Sequence, residues 1–376
     1  MASTTDLPWA LGLMSGTSLD GIDAALIRSD GRVAVTSGPS LSWPYDAAMR
    51  RSLRSVLGGQ GPVAQVERAL TLKHAEAVRA LLSEAGLTPR DVRVIGFHGH
   101  TILHRPEEGR TWQIGDGALL AEETGIDVVS DMRSRDVALG GEGAPLAPLY
   151  QAALAAGLPR PLAVVNIGGV GNVTWIGAGN PAADDGTSSE AQVNGARVLA
   201  FDTGPGNALI NDWVEAHLGE PLDRDGALAS AGRTNETVLA ALMDNPYFDR
   251  RPPKSLDRDD FSTAPAKGLS LQDGAATLTA FTAASIAASK AWFPQPVGRW
   301  LITGGGRHNP TLMAALSERL GAAVDPVEAV GWQGDVLEAQ AFAYLALRSL
   351  EGLPLTVPGT TGVSEPASGG ALHIAA

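Results

Sequence analysis

One arrangement occurs twice in this chain and limits what it can fold into: two short apolar runs joined by a glycine-rich turn. The first is "LGLMSGTSLDGIDAALI", Leu11–Ile27, and the second combines "LAVVNIGG" with "NVTWIG" between residues 162 and 177. Each predicts a β-hairpin with glycines at its tip. A fold whose halves both begin this way can aim two tips at one ligand, such as a polyphosphate. Glycine turns suit an anion because, without a Cβ, several backbone N–H groups can converge on it. The same residues also serve a tight hairpin in which Asx and Ser side chains bond their own backbone. A third glycine-rich turn, residues 304–306 after the apolar "RWLIT", tips the reading toward nucleotide binding. No G-x-x-x-x-G-K-[ST] occurs and "GGVGNV" does not give a G-x-G-x-x-G, so the site expected belongs to another architecture.

Elsewhere strands alternate with helices. Val66, Leu70, Ala77, Val78 and Leu81 recur near helical spacing within residues 63–82, and "VRVIGFHGHT" reads as a buried strand running into a glycine turn. "IDVVSDM" predicts a strand and "LAPLYQAALAAGL" a helix. "VLAFDTGPGNALINDWV" and "RWLITGGGRHNPTLMAAL" each predict strand, turn and helix, the latter with Asn309 as N-cap and Pro310 at the first helical position. The alternation gives an α/β architecture. At 376 residues and 44% apolar content, two domains are expected. The first spans 1–131 and is completed by 350–376; the second spans 132–349. Segment 178–197 is polar and aperiodic, as a surface loop would be. A net charge of −13, without basic runs, argues against a nucleic-acid or anionic membrane surface. The absence of cysteine removes disulfides and thiolate metal sites. No segment approaches the roughly 20 apolar residues of a membrane span, and the N-terminus lacks a basic start before an apolar run, so a cytoplasmic protein is expected.

Further clusters carry chemistry. In "FDTGPGN", Phe201–Asn207, Asp202 ends an apolar strand beside a turn that opens a helix. A carboxylate there can act as general base toward a hydroxyl or water while a phosphate rests on nearby N–H groups; it can equally just bond the turn. From His98 to Pro145 run "HGHT", "WQIGDG", "SDMRSRD" and "LGGEGAP". These polar side chains at strand ends suit a sugar, with Arg133 for a carboxylate or phosphate. They would equally suit a solvated loop with ion pairs among Asp131, Arg133, Arg135 and Asp136. His98 and His100 share a face of an extended segment, which raises a metal reading with Asp116 or His104. With no C-x-x-C or H-E-x-x-H companion, hydrogen bonding is the role expected of them. Glu338 lies near the start of an apolar helix, where a carboxylate also suits the dipole.

Taken in order, "MSGTSLDGID", "GFHGHT", "QIGDG", "DVALGGEGAPLAP", "NIGGVGNVTWI", "FDTGPGNALI" and "LITGGGRHNPTLM" resemble the anhydro-N-acetylmuramic acid kinase family over nearly the whole chain. The resemblance implies two ribonuclease-H-like (actin-like ATPase) α/β domains around a cleft that closes on ATP and sugar. It implies an enzyme that opens the 1,6-anhydro ring of anhydro-N-acetylmuramic acid with water and phosphorylates the freed O6, using ATP and Mg²⁺. The product is N-acetylmuramic acid 6-phosphate, in cell-wall recycling. Carried over residue by residue, Gly16, Thr17, Ser18, Leu19, Asp20, Gly21, Ile22 and Asp23 form the phosphate loop. Gly168, Gly169, Gly304, Gly305 and Gly306 complete the nucleotide site, and Asp202 is the base for the water attacking C1. His100, Thr101, Gln113, Arg133 and Glu338 are the sugar and lactyl contacts, and Asp20 or Asp23 reaches Mg²⁺ through water. A homodimer with the sugar as its small-molecule partner is also implied.

The sequence departs from the family pattern in two places. The family usually has Gln where this chain has His100, which makes hydrogen bonding there pH-sensitive near neutrality. Segment 178–197 is longer than the family needs. Two other functions fit the same residues less fully: another actin-like-fold carbohydrate kinase, and a nucleotide-gated binding protein without turnover.

Overall fold

The computed structural model describes residues 6–16, 19–179, 192, 193, 195–256 and 258–376. Two compact units emerge, one of residues up to Gly157 with Val336–Ala376, the other of Leu158–Gly179 with Arg197–Asp335.

In the first unit β1 (Trp9–Ser15), β2 (Gly21–Ser29) and β3 (Val35–Pro44) form an antiparallel meander. Beyond β1 lie β4 (Val92–Arg105) and β6 (Val128–Ser130), both parallel to it, then β13 (Ala371–His373), with β5 (Arg110–Ile114) folded back on β4. Tight turns suffice for the antiparallel pairs, whereas the parallel ones need crossovers. Helices Val63–Ala85 and Gly117–Thr124 lie in those connections. Val66, Leu70, Ala77, Val78 and Leu81 are buried on the longer helix, as their spacing predicts.

Helix Leu337–Leu350 packs on β1 and β4 at a pair of glycines. Gly12 and Gly96 are cross-strand partners, and a Cβ on them would lie 1.7 Å from Ala339 O and 2.0 Å from Phe342 O. Their bare backbones let the helix approach the sheet, with Ala339 and Ala343 fully buried against it.

The second unit repeats the plan. β7 (Leu162–Ile167) and β8 (Val170–Ala178) form the hairpin, followed outward by β10 (Ala196–Pro205) and β9 (Gln192–Val193). On the other side of β7 stand β11 (Arg299–Thr303) and β12 (Ala323–Pro326), parallel to it and to each other. The order β6-β4-β1-β2-β3 of the first sheet thus matches β12-β11-β7-β8-β10 of the second. Two α/β units, each opening on a hairpin and continuing with parallel strands, are the architecture expected. Asn309 caps helix Pro310–Leu320 by accepting from Leu312 N at 3.0 Å.

Three local expectations need correction. The first unit runs past residue 131 to Gly157 and resumes at Val336, not 350. Arg133 and Asp136 bond residues of that unit, Tyr150 OH donates to Gln340 Oε1 at 3.0 Å, and the Leu337–Leu350 helix covers its sheet. β4 does not stop at the glycine of "HGHT". Gly99 adopts φ +70° inside the strand, which continues to Arg105 because Thr101–Arg105 pair with β5. Asp202 lies within β10, three residues before its end. Of segment 178–197, residues 180–191 and 194 lie outside the described residues. Among the described residues no helix is long and apolar enough to cross a membrane.

Candidate active site

The β1–β2 tip is a tight turn. Leu19 N donates to Gly16 O at 3.1 Å, with Leu19 at φ +61°; Thr17 and Ser18 lie outside the described residues. Tyr45 N donates to Asp20 O at 2.9 Å, Gly21 pairs with Pro44, and fully buried Ile22 anchors the turn in the core. Asp20 is exposed, whereas Asp23 accepts from Ser42 Oγ at 2.6 Å.

Below the tip, Ser15 Oγ lies 2.7 Å from Tyr45 OH and 3.0 Å from His100 Nδ1. His100 is 0% exposed and its Nε2 is buried without a hydrogen-bond partner among the described residues. Burial pulls it down to about 4, with the Ser15 bond opposing. It is therefore neutral at physiological pH, and the sensitivity near neutrality expected of it does not arise. Its place is inside the protein, bonded to Ser15, rather than at a surface open to a sugar.

The polar set from β4 to residue 143 converges on Arg133. Its Nε and Nη2 reach His98 Nε2 at 3.1 and 3.0 Å, and Nη1 donates to Gly143 O at 2.6 Å. His98 Nδ1 faces Gly99 O at 3.0 Å, so the network assigns the proton to Nδ1 and leaves Nε2 to accept. Burial, then the adjacent guanidinium, hold His98 well below its ordinary value. Arg133 itself falls to about 10 through burial, with Glu338 and Asp136 opposing, so it keeps its charge at neutral pH. One N–H on each terminal nitrogen remains for a ligand. Glu338 reaches solvent at the start of its helix, yet the protein around it raises its pKa; Arg133 opposes the rise and Asp23 adds to it. Thr101 and Gln113 are cross-strand partners, with Gln113 Nε2 donating to Thr101 Oγ1 at 3.2 Å and Thr111 Oγ1 at 2.8 Å. His98 and Gln113 line a cavity of about 210 Å³ with Asp131 and Ser134.

In the second unit the glycine turns interlock. Gly206 N and Ala208 N donate to Gly169 O at 2.8 and 3.2 Å, and Asn207 N donates to Gly168 O at 2.7 Å. Asn207 Nδ2 donates to Ile167 O at 3.0 Å, and Gly306 packs on the Ile167 side chain. Gly168, Gly169 and Gly304–Gly306 thus meet around the end of β7, with Gly169 and Gly305 exposed. Asp202 is fixed from three sides. Its N–H donates to Lys254 O at 3.0 Å, its carbonyl accepts from Tyr247 OH at 2.5 Å, and Oδ2 accepts from Leu256 N at 2.9 Å.

Several polar residues near the site are held in structural roles. Asp116 caps helix Gly117–Thr124 and His98 is engaged by Arg133, so neither is set to ligate a metal. Asp136 is buried rather than in a solvated loop, accepting from Gly143 N at 2.7 Å, Thr361 Oγ1 at 2.7 Å and Thr356. Sequence reasoning missed Lys254, Tyr247 and Arg307. Arg307, with a side chain 3% exposed, donates to Gly304 O at 2.9 Å while held by Glu328 and Asp335. "GGGRHN" places a cation beside the glycines and "PPKSL" a lysine just after two prolines, but neither signal names a partner.

Comparison with known proteins identifies the family. A profile described as anhydro-N-acetylmuramic acid kinase matches residues 8–375. A relative of that name from Paramagnetospirillum magneticum is 58% identical over 97% of this chain and 99% of its own. One from Rhodospirillum rubrum is 55% identical over 96% and 93%, and one from Rhizorhabdus wittichii 50% over 97% and 98%. The chain belongs to the anhydro-N-acetylmuramic acid kinase family.

Proposed function

We propose that this kinase opens 1,6-anhydro-N-acetylmuramic acid with water and phosphorylates O6, with Asp202 as general base. Asp202 takes a proton from the water attacking C1, the C1–O6 bond breaks, and O6 accepts the γ-phosphoryl group as ADP leaves. Relief of ring strain helps both steps. The observation that carries this reading is the seating of Asp202, whose carboxylate is oriented by Leu256 N–H on a strand that leads into the interlocked glycine turns. The bare glycine backbone of those turns suits the close approach of phosphate oxygens. The remaining N–H groups of Arg133 suit the lactyl carboxylate, and Thr101, Gln113 and Glu338 suit hydroxyl and amide groups.

Mg²⁺ fits the β1–β2 tip by donor chemistry. Asp20 is an exposed carboxylate there and Asp23 stands nearby on β2, and Mg²⁺ usually takes one or two carboxylates with waters and substrate phosphates. Bound there, it would neutralise charge on the transferring phosphoryl group.

Incubation with ATP, Mg²⁺ and the anhydro sugar should yield a product heavier by one water and one phosphoryl group. Asp202→Asn should abolish it while leaving the protein folded. No such product from folded, ATP-binding wild-type protein would reject the substrate, and unimpaired turnover by the variant would reject the base.

A further inference from the structure

Lys254 is a buried cation, 5% exposed, that the reaction as described does not use. Nζ donates to Tyr247 O at 2.8 Å and lies 4.3 Å from the Tyr247 ring centre, 5.8 Å from Trp292 and 6.0 Å from Phe201. Ring faces are attractive to a cation at these distances. The same residues grip Asp202: Lys254 O receives its N–H, Tyr247 OH holds its carbonyl, and Leu256 N–H, two residues on, holds its carboxylate. Together with the bond from Lys254 Nζ to Tyr247, these contacts close a ring through Asp202, Lys254 and Tyr247.

We propose that Lys254 is a positioning residue for Asp202. Its ammonium, seated on Tyr247, locks the 247–256 segment that orients the carboxylate, and its charge favours the ionised form that must accept the proton. This rests on Asp202 being the base. The charged groups around Lys254 agree with a mutual influence: burial and Arg250 lower it to about 8, while Asp249 and Asp202 oppose the fall. A positive charge near a carboxylate lowers the carboxylate's pKa, so removing it raises that value.

The test compares Lys254→Met, which keeps the stem and removes the charge, with wild type, Asp202→Asn and Tyr247→Phe. Expected for Lys254→Met is a kcat about 10- to 100-fold lower, at or below the roughly 10²–10⁴-fold of a whole acid–base contribution because Lys254 only positions the base, with KM for ATP unchanged. The acidic limb of its kcat–pH profile should move to higher pH, and the loss of rate expected of wild type as Lys254 deprotonates near pH 8 should vanish. A folded Lys254→Met with wild-type kcat and an unmoved acidic limb would overturn the proposal. So would a lower kcat with an unmoved limb and a lower Tm, which marks a purely structural role. Should Lys254→Met not fold, Tyr247→Phe decides: a lower kcat at unchanged KM supports the clamp, and an unchanged kcat refutes it. Full turnover by Asp202→Asn would instead strike the base assignment itself.

Discussion

Gly206→Ala probes whether the glycine turns of the second unit act as one piece. A Cβ there would lie 2.3 Å from Gly168 O, 3.0 Å from Val170 C and 3.1 Å from Gly169 O. All three are backbone atoms, so the turns must separate, stretching the bonds from Gly206 N, Asn207 N and Ala208 N to Gly168 and Gly169. At about 1 kcal/mol net for each hydrogen bond, losing all three costs about 3 kcal/mol. For a unit of this size a kcal/mol moves Tm by about 2–4 °C, so a fall of about 6–12 °C is expected by calorimetry. KM for ATP should rise with it, because the displaced turns change the backbone proposed to face phosphate. Gly305→Ala is the contrasting variant: the nearest atom to its Cβ is Asn207 Nδ2 at 3.8 Å, so the fold has room for the methyl. Its Tm should stay put while KM for ATP rises, as the methyl intrudes on the exposed turn proposed to meet phosphate. An unchanged Tm and KM in Gly206→Ala would refute the interlock. An unchanged KM in Gly305→Ala would remove that turn from the nucleotide site.

Two further outcomes follow from the first unit. His74 and His100 are both pulled by burial from 6.5 to about 4, so the folded protein binds those protons less readily than the unfolded chain. Their contribution to stability is full above pH 6.5 and is lost as pH falls toward 4. His100→Gln, which cannot titrate, should flatten the decline in denaturation midpoint over that range; an identical slope would reject the assignment. Arg133→Met should raise KM for the sugar by about 10- to 100-fold, the loss of about 2 kcal/mol from a charged hydrogen-bonded contact, with KM for ATP little changed. An unchanged sugar KM would place the lactyl contact elsewhere.

Local pattern made much of this legible in the sequence. Both hairpins, the long helix over residues 63–82 and the Asn309–Pro310 helix start follow from periodicity and capping chemistry, which act over a few residues. Long-range packing was harder to read. Gly12 and Gly96 look like strand weaknesses until the Leu337–Leu350 helix, more than 200 residues away, is seen to need their bare backbones. The unit boundary moved for the same reason, since the helix that closes the first sheet comes after the whole second unit. Asp202 and Arg133 stood out in the sequence because a carboxylate at a strand end and a guanidinium in a polar loop are conspicuous. Lys254 did not, since its value lies in Tyr247, Phe201 and Trp292 around it, residues that sequence alone cannot bring together. His100 lost the pH sensitivity expected of it because it is buried, and burial of a strand residue beside the φ +70° kink at Gly99 is set by packing that a local pattern does not show.

The most direct measurement is a single turnover of the anhydro sugar with ATP and Mg²⁺ in water carrying heavy oxygen, followed by mass spectrometry of the product. One labelled oxygen at C1, an unlabelled phosphoryl group on O6 and one ADP per sugar are expected, all lost in Asp202→Asn. Label in free phosphate, with the sugar unopened, would mean that water attacks ATP rather than C1 and would contradict the coupled ring opening.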